Sequence, residues 1–159
     1  MMSSVSDSPG VVARPPLIYL ATLMIALALE WLRPLPLLGH AAIGPGVLAA
    51  VAGIAIAVWG RQTMLAAGTN VDPTLPSTAM VTAGPFRFCR NPLYLGLTLL
   101  YLGITLAVDT WWGLIALVPL LLVMHVGVVL REEHYLEAKF GDQYRSYKME
   151  VARYVPFVG

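Results

Sequence analysis

The sequence contains a single cysteine, few charged residues and three histidines. The lone thiol, Cys89, excludes an internal disulfide and a metal site built from several thiolates. His40, His125 and His134 are too far apart along the chain to form the closely spaced ligand pairs of zinc motifs. Ten Lys and Arg against nine Asp and Glu give a net charge of +1, which argues against nucleic acid as a partner. The composition thus predicts neither a metal site nor nucleic-acid binding.

Motifs of several common enzyme classes are also missing. The sequence has no Gly-rich phosphate loop, no nucleophile elbow, no His-Glu-x-x-His pattern and no EF-hand loop. Residues 1–14 lack the charged start, apolar middle and small-residue cleavage site of a secretory signal. We expect them to form a short cytoplasmic tail.

Long apolar runs dominate the rest of the chain, which is 58% hydrophobic and 12% charged. Four runs, at about residues 17–32, 47–65, 93–108 and 111–130, approach the roughly 20 residues that cross a bilayer as a helix. The sequence therefore predicts an all-α, polytopic membrane protein with about four transmembrane helices and a C-terminal amphipathic helix.

These runs divide one membrane domain, residues 1–159, into five segments. After the tail come the first two spans (15–66), a loop rich in Gly, Pro and Thr (67–92), a tight helical hairpin (93–130) and an amphipathic segment (131–159) with Gly141 as a break. With four spans, both termini and the loop share one side, and Arg33 alone of the ten Lys and Arg falls opposite. The positive-inside rule makes the shared side cytoplasmic, and the compact size suits a bacterial inner membrane.

Two polar motifs flank the hairpin. Arg90-Asn91-Pro92 precedes the third span, and Glu132-Glu133 follows the fourth. Polar residues so close to the hydrocarbon region are costly and usually mark a site. Because both motifs face the same compartment, they can form one site that takes a polar cofactor from the cytosol and an apolar substrate from the membrane. The unpaired N–H groups of a helix beginning at Pro92 would favour an anion there.

In these residues the chain resembles the isoprenylcysteine carboxyl methyltransferase and phospholipid N-methyltransferase group of small membrane enzymes. The likeness covers roughly residues 78–156 and rests on residues 81–87 and 90–96, on Glu132-Glu133 with Leu136, on residues 140–144 with Tyr147, and on a closing Val155-Pro156. It implies S-adenosylmethionine as methyl donor, a helical membrane fold and a site at the cytosolic face.

The resemblance also implies which residues contact the cofactor. The family's contacts fall on Thr78, Ala79, Met80, Val81, Phe86, Asn91, Pro92, Leu93, Tyr94 and Glu132. Arg90, beside Asn91-Pro92, and Tyr147, in the C-terminal helix, are further candidates for binding the cofactor.

Three residues are candidates for catalysis. The arginine that engages the substrate carboxylate in the isoprenylcysteine enzymes aligns with Val128, and Arg131 is a possible substitute. His125, two helical turns before Glu132, could accept a proton from a thiol, phenol or amine, or could simply form an interhelical hydrogen bond to a Tyr or Thr.

Glu133 is the third catalytic candidate. On a helix its side chain points about 100° away from that of Glu132. If Glu133 is not catalytic, we expect it to form an ion pair with Arg90 or Arg153 that ties down the C-terminal helix.

Together these features predict a methyltransferase that uses S-adenosyl-L-methionine at the membrane. Its substrate would be a lipophilic small molecule or lipid that presents a carboxylate, thiol, amine or phenol. One alternative is a membrane reductase of the sterol reductase type that uses NADPH, and another is a non-catalytic membrane module that retains the fold.

Overall fold

The structure, a computed structural model, describes residues 8–154, and its regular elements are helices. They are α1 (Pro15–Leu32), α2 (Ile43–Ala66), α3 (Pro92–Val108), α4 (Trp111–Met124), α5 (Leu130–Phe140) and α6 (Asp142–Glu150), with 3-10 turns at Gly39–Ala42 and Gly84–Arg87. The predicted all-α membrane fold is confirmed. Met1 to Asp7 of the predicted tail and the Val155-Pro156 motif lie outside the described residues.

Three helical stretches are long and apolar enough to cross a membrane: Pro15–Leu32, Gly39–Ala66 and Trp111–Phe140. The predicted third span, Pro92–Val108, is apolar but has 17 residues. At 1.5 Å per residue it is about 26 Å long, slightly short of the roughly 30 Å hydrocarbon core. Its polar start at Asn91 therefore sits close to the edge of the apolar layer.

Glycines set the close packing of α2 against α3. A Cβ on Gly53 would lie 2.5 Å from the carbonyl oxygen of Gly96, and a Cβ on Gly103 would lie 2.5 Å from that of Gly46. Small residues allow two helix backbones to approach where lipid supplies no hydrophobic drive for association. This contact fixes the N-terminal end of α3, where the polar motif lies, relative to α2.

The hairpin between α3 and α4 turns at Asp109, which has a positive φ of 61°. Its Oδ1 accepts hydrogen bonds from the backbone N–H groups of Leu37, Leu38 and Gly39 at 2.6–3.0 Å. The bond from Leu38 contributes most to lowering the pKa of Asp109. The carboxylate thus joins both loops at the end of the bundle opposite the polar motifs.

A π-helical turn, His125–Val129, connects α4 to α5 without a break in the helix. A π turn contains one more residue than an α turn, so side chains beyond it are rotated relative to those before it. The N-terminal arm packs here, since the N–H of Val12 donates to the carbonyl of Gly127 at 3.1 Å. The turn therefore decides which way the polar residues of α5 face.

The predicted amphipathic C-terminal helix is broken at Gly141, as expected. Gly141 has a φ of +55°, which ends α5 and starts α6 in a new direction. Tyr144 and Tyr147 on α6 are 2% and 8% exposed, so this helix packs on the bundle beside the start of α3.

Candidate functional site

A polar cleft lies where the α2–α3 loop, the start of α3, α5 and α6 meet. Two small adjoining cavities form it, with volumes of about 60 and 40 Å³. Of the residues predicted to bind a cofactor, the structure brings the following to the cleft: Ala79, Met80, Val81, Phe86, Arg90, Asn91, Pro92, Leu93, Tyr94, Glu132 and Tyr147.

Thr78 is the predicted cofactor residue that the cavity walls do not include. Its N–H donates to Oγ1 of Thr69 at 3.0 Å and its hydroxyl donates to the carbonyl of Gly68 at 2.7 Å. Thr78 therefore stabilises the conformation of the α2–α3 loop and does not contact the cleft.

Glu132 faces the cleft from the first turn of α5. Its Oε2 accepts a hydrogen bond from the hydroxyl of Tyr94 at 2.7 Å, which joins the two ends of the hairpin. A carboxylate has further lone pairs to offer. Glu132 can therefore accept hydrogen bonds from a cationic group in the cleft while Tyr94 holds it in place.

Glu133, a predicted catalytic residue, also lines the cleft, but arginines hold its carboxylate oxygens. Arg153 donates to both of its oxygens at 3.0 Å, and Nη1 of Arg90 lies 3.3 Å from its Oε1. Glu133 is 6% exposed. These are the two arginines predicted as ion-pair partners in the structural alternative, and the contact with Arg153 ties the segment after α6 to the bundle.

Arg90 is the cation at the base of the cleft. Its side chain is 9% exposed, and its Nε and Nη1 have no hydrogen-bond partner among residues 8–154. Nη1 is close to Glu133 but lacks hydrogen-bond geometry. Because buried donors are nearly always satisfied, the Nε–H group favours a ligand in the cleft that accepts a hydrogen bond.

Asn91 and Tyr147 bond to the backbone rather than to the cleft. Nδ2 of Asn91 donates to the carbonyl of Arg153 at 3.0 Å, and the hydroxyl of Tyr147 donates to the carbonyl of Phe86 at 2.7 Å. Burial raises the pKa of Tyr147, so its hydroxyl stays protonated. These bonds fix the wall of the cleft that α6 covers.

A second, larger cavity of about 540 Å³ lies beside the cleft among α1, α3 and α4. Its wall surface is mostly apolar, and the side chains in it that carry a polar group are Tyr19, Tyr94, Thr98, His125 and Tyr154. Tyr94 lines both this cavity and the polar cleft. The ring of Tyr94 therefore lies between the apolar cavity and the polar cleft.

His125 lines the apolar cavity, whereas Glu132 lines the cleft. A regular α-helix would place residues seven apart on one face, but the π turn between them changes the rotation. Nδ1 of His125 lies 2.6 Å from the hydroxyl of Tyr154. The non-catalytic role predicted for His125 was an interhelical hydrogen bond to a Tyr or Thr. Its partner here is a tyrosine, but this tyrosine lies in the C-terminal segment.

The structure does not bring Arg131 to either cavity. Its Nη1 donates to the carbonyl of Gly10 at 2.7 Å on the outside of the bundle. Val128, where the isoprenylcysteine enzymes have their arginine, is fully buried in a core with Tyr19, Tyr101 and Met124. Among the lining residues no cation replaces that arginine at the apolar cavity.

Sequence reasoning did not assign several lining residues to the site. Met64, Thr69, Ser77, Leu136 and Tyr144 line the cleft, and Tyr154 lines the apolar cavity. Tyr144 and Leu136 belong to the motifs that carry the family resemblance, so the sequence did offer a reason to assign them to the site. Met64 and Tyr154 sit in stretches without a pattern, so only the folded chain reveals them.

Comparison with known proteins places these residues in a family. A sequence model of the phospholipid methyltransferase family matches residues 42–143, which include the cleft's loop, α3 and α5. An uncharacterized protein of Haemophilus influenzae is 40% identical over 63 residues, which are 40% of this chain and 100% of that protein.

Proposed function

Since the chain belongs to the phospholipid methyltransferase family, we propose that it is an integral membrane methyltransferase that uses S-adenosyl-L-methionine on a small lipophilic or lipid-like nucleophile. The observation that carries the proposal is the shared wall at Tyr94, which lines both the polar cleft and the 540 Å³ apolar cavity. A polar methyl donor and an apolar acceptor can meet only where two such spaces adjoin.

The chemistry of the cleft fits the amino-acid end of the cofactor. Glu132 can accept hydrogen bonds from its ammonium group, which are stronger than bonds between neutral groups. The Nε–H of Arg90, which has no hydrogen-bond partner among residues 8–154, and the first N–H groups of α3 suit its carboxylate. Phe86 offers an apolar surface to the adenine. When bound, the cofactor supplies a methyl group on a positively charged sulfur.

The cleft has to widen to bind S-adenosyl-L-methionine. Cavities of about 60 and 40 Å³ are far below the ~300–1,000 Å³ of typical small-molecule sites. We propose that the α2–α3 loop moves to widen the cleft, with the hydrogen bond of 3.2 Å from the N–H of Ser77 to the hydroxyl of Tyr135 on α5 breaking as it opens. Loop closure over the ligand would then exclude water from the reaction.

The chain's own contribution to methyl transfer is positioning. Tyr94 is held by Glu132 at 2.7 Å and by the α3 backbone, so its ring presents a fixed surface to both cavities. Correct placement of two reactants supplies much of the rate in such reactions. We propose that the cleft faces the cytoplasm, with both termini on that side, and that the protein resides in a bacterial inner membrane.

Calorimetric titration of the purified protein tests the proposal. We expect S-adenosylhomocysteine to bind and NADPH not to bind. Binding of NADPH alone would favour a membrane reductase, and binding of neither ligand would favour a non-catalytic membrane module. Either of these outcomes would overturn the methyltransferase assignment.

A further inference from the structure

The apolar cavity contains a hydrogen-bonding pair that the cofactor site does not use. His125 and Tyr154 meet in its wall, with 2.6 Å between Nδ1 and the tyrosine hydroxyl. The remaining walls include Val118, Leu121 and Leu122. An imidazole placed among aliphatic side chains can exchange a proton with a molecule that is otherwise bound by apolar contact.

We infer that this cavity binds the methyl acceptor, and that the acceptor is an apolar molecule with a phenol-like hydroxyl which His125 deprotonates. The inference rests on the proposed function, because it names the substrate class of the same enzyme. His125 is then a catalytic residue, and Tyr154 is a positioning residue that acts through it.

The absence of charge from the lining selects against other acceptors. Among the described residues, the cavity walls contain no Lys, Arg, Asp or Glu side chain. A carboxylate or an ammonium group would therefore lose its hydration without gaining an ionic partner, which is strongly unfavourable. Arg131 cannot provide that partner, since it bonds to Gly10 outside the bundle.

Neutral nucleophiles remain, and a phenol suits the pair best. A thiol is a weak hydrogen-bond donor and gains little from the imidazole. A phenol is a good donor and, with a pKa of about 10, is acidic enough to give its proton to a histidine as the methyl group arrives. An aliphatic alcohol holds its proton too tightly for this.

The proposed proton path requires one of the two directions that the His125–Tyr154 hydrogen bond can take. When Nδ1–H donates to the hydroxyl oxygen of Tyr154, Nε2 has a free lone pair and can accept the phenol proton. Burial raises the pKa of Tyr154, so its hydroxyl remains neutral throughout. The balance is simple: the new bond joins the phenol oxygen to the methyl carbon, the sulfur–methyl bond breaks with its electrons left on sulfur, and the proton moves to Nε2.

Binding in lipid nanodiscs tests the site without turnover. The probes are 4-heptylphenol and heptylbenzene, titrated into cofactor-free protein with empty nanodiscs as the correction for partitioning. We expect the phenol to bind about five- to tenfold more tightly, the effect of one hydrogen bond in an apolar site. This preference should disappear in His125→Leu, decrease in Tyr154→Phe and persist in Thr22→Val, which removes a hydroxyl outside the cavity that donates to the carbonyl of Ile18.

Turnover of the same phenol gives the second readout. With S-adenosylmethionine added, we expect 4-heptylanisole as product, and a rate about 100-fold or more lower in His125→Leu while S-adenosylhomocysteine affinity stays unchanged. The inference would be overturned if the wild type bound 4-heptylphenol and heptylbenzene equally well, or if His125→Leu still bound 4-heptylphenol more tightly than heptylbenzene. A phenol preference in a protein that binds no S-adenosylhomocysteine would support the phenol site and overturn the proposed function instead.

Discussion

Adjacent carboxylates on α5 provide the sharpest test of the site, because the structure gives them different partners. Glu132 faces the cleft beside Tyr94, whereas Glu133 is paired with Arg153 and Arg90. The isosteric changes Glu132→Gln and Glu133→Gln each remove one negative charge and keep the side chain's shape. We expect the first to weaken ligand binding and the second to weaken the fold.

The expected magnitudes follow from burial and partners. Glu133 is 6% exposed and the side chain of Arg90 is 9% exposed. Removing one member of a buried ion pair costs ~3–5 kcal/mol. We expect the lower end, about 3 kcal/mol, because Arg153 is 34% exposed and can be hydrated when its partner is lost. For a chain of this size that corresponds to a decrease in melting temperature of roughly 6–12 °C.

Glu132→Gln leaves an amide oxygen that can still accept the Tyr94 hydrogen bond, so stability should change by less than about 1 kcal/mol. A hydrogen bond to a charged group contributes ~1.5–3 kcal/mol, and its loss should raise the dissociation constant of S-adenosylhomocysteine about 10- to 100-fold.

Each variant is the control for the other. Both are purified in the same detergent, their unfolding is followed by circular dichroism on heating, and S-adenosylhomocysteine binding is measured by calorimetry below the lower melting temperature. A Glu132→Gln protein with wild-type affinity would refute the assignment of Glu132 to the cofactor. A Glu133→Gln protein as stable as the wild type would refute the structural role of its ion pairs.

Three further predictions concern the fold and its titrating groups. Gly53→Ala should lower the melting temperature by the equivalent of about 1–3 kcal/mol, since its Cβ would lie 2.5 Å from a backbone oxygen, whereas Gly44→Ala, with nothing within 4 Å, should not. Cys89 is 2% exposed and burial raises its pKa, so at pH 7 we expect maleimide to label it far more slowly in folded than in denatured protein; equal rates would contradict its burial. Hydrogen bonds lower the pKa of Asp109, so its contribution to stability is present above the ordinary carboxyl pKa of about 4 and is lost as pH falls through the lowered value. The difference in melting temperature between wild type and Asp109→Asn should therefore shrink on acidification, and a constant difference would contradict this role.

The sequence predicted the membrane fold because long apolar runs dictate helices in a bilayer. It also predicted that Arg90-Asn91-Pro92 and Glu132-Glu133 lie at one end of the bundle, since an even number of spans returns the chain to the same side. Both features depend on local composition and on the count of helices. The roles proposed for individual site residues remain predictions.

The π turn was not foreseeable from its residues. Residues 125–129 read as an ordinary stretch of an apolar helix, yet this turn sets the rotation of everything after it. It places His125 in the apolar cavity and Glu132 in the cleft, and Arg131 ends on the outside against Gly10. The position of Tyr154 likewise depends on how the C-terminal segment returns to the bundle through Glu133.

Transfer of labelled methyl groups in proteoliposomes tests the central claim most directly. The protein is reconstituted with a bacterial lipid extract supplemented with 4-heptylphenol, tritiated S-adenosylmethionine is added from outside, and label in the organic phase is counted for wild type and Glu132→Gln. We expect label to accumulate with the wild type and to accumulate about 10- to 100-fold more slowly with the variant at limiting cofactor. Wild-type vesicles that gain no more label than protein-free vesicles would contradict the account.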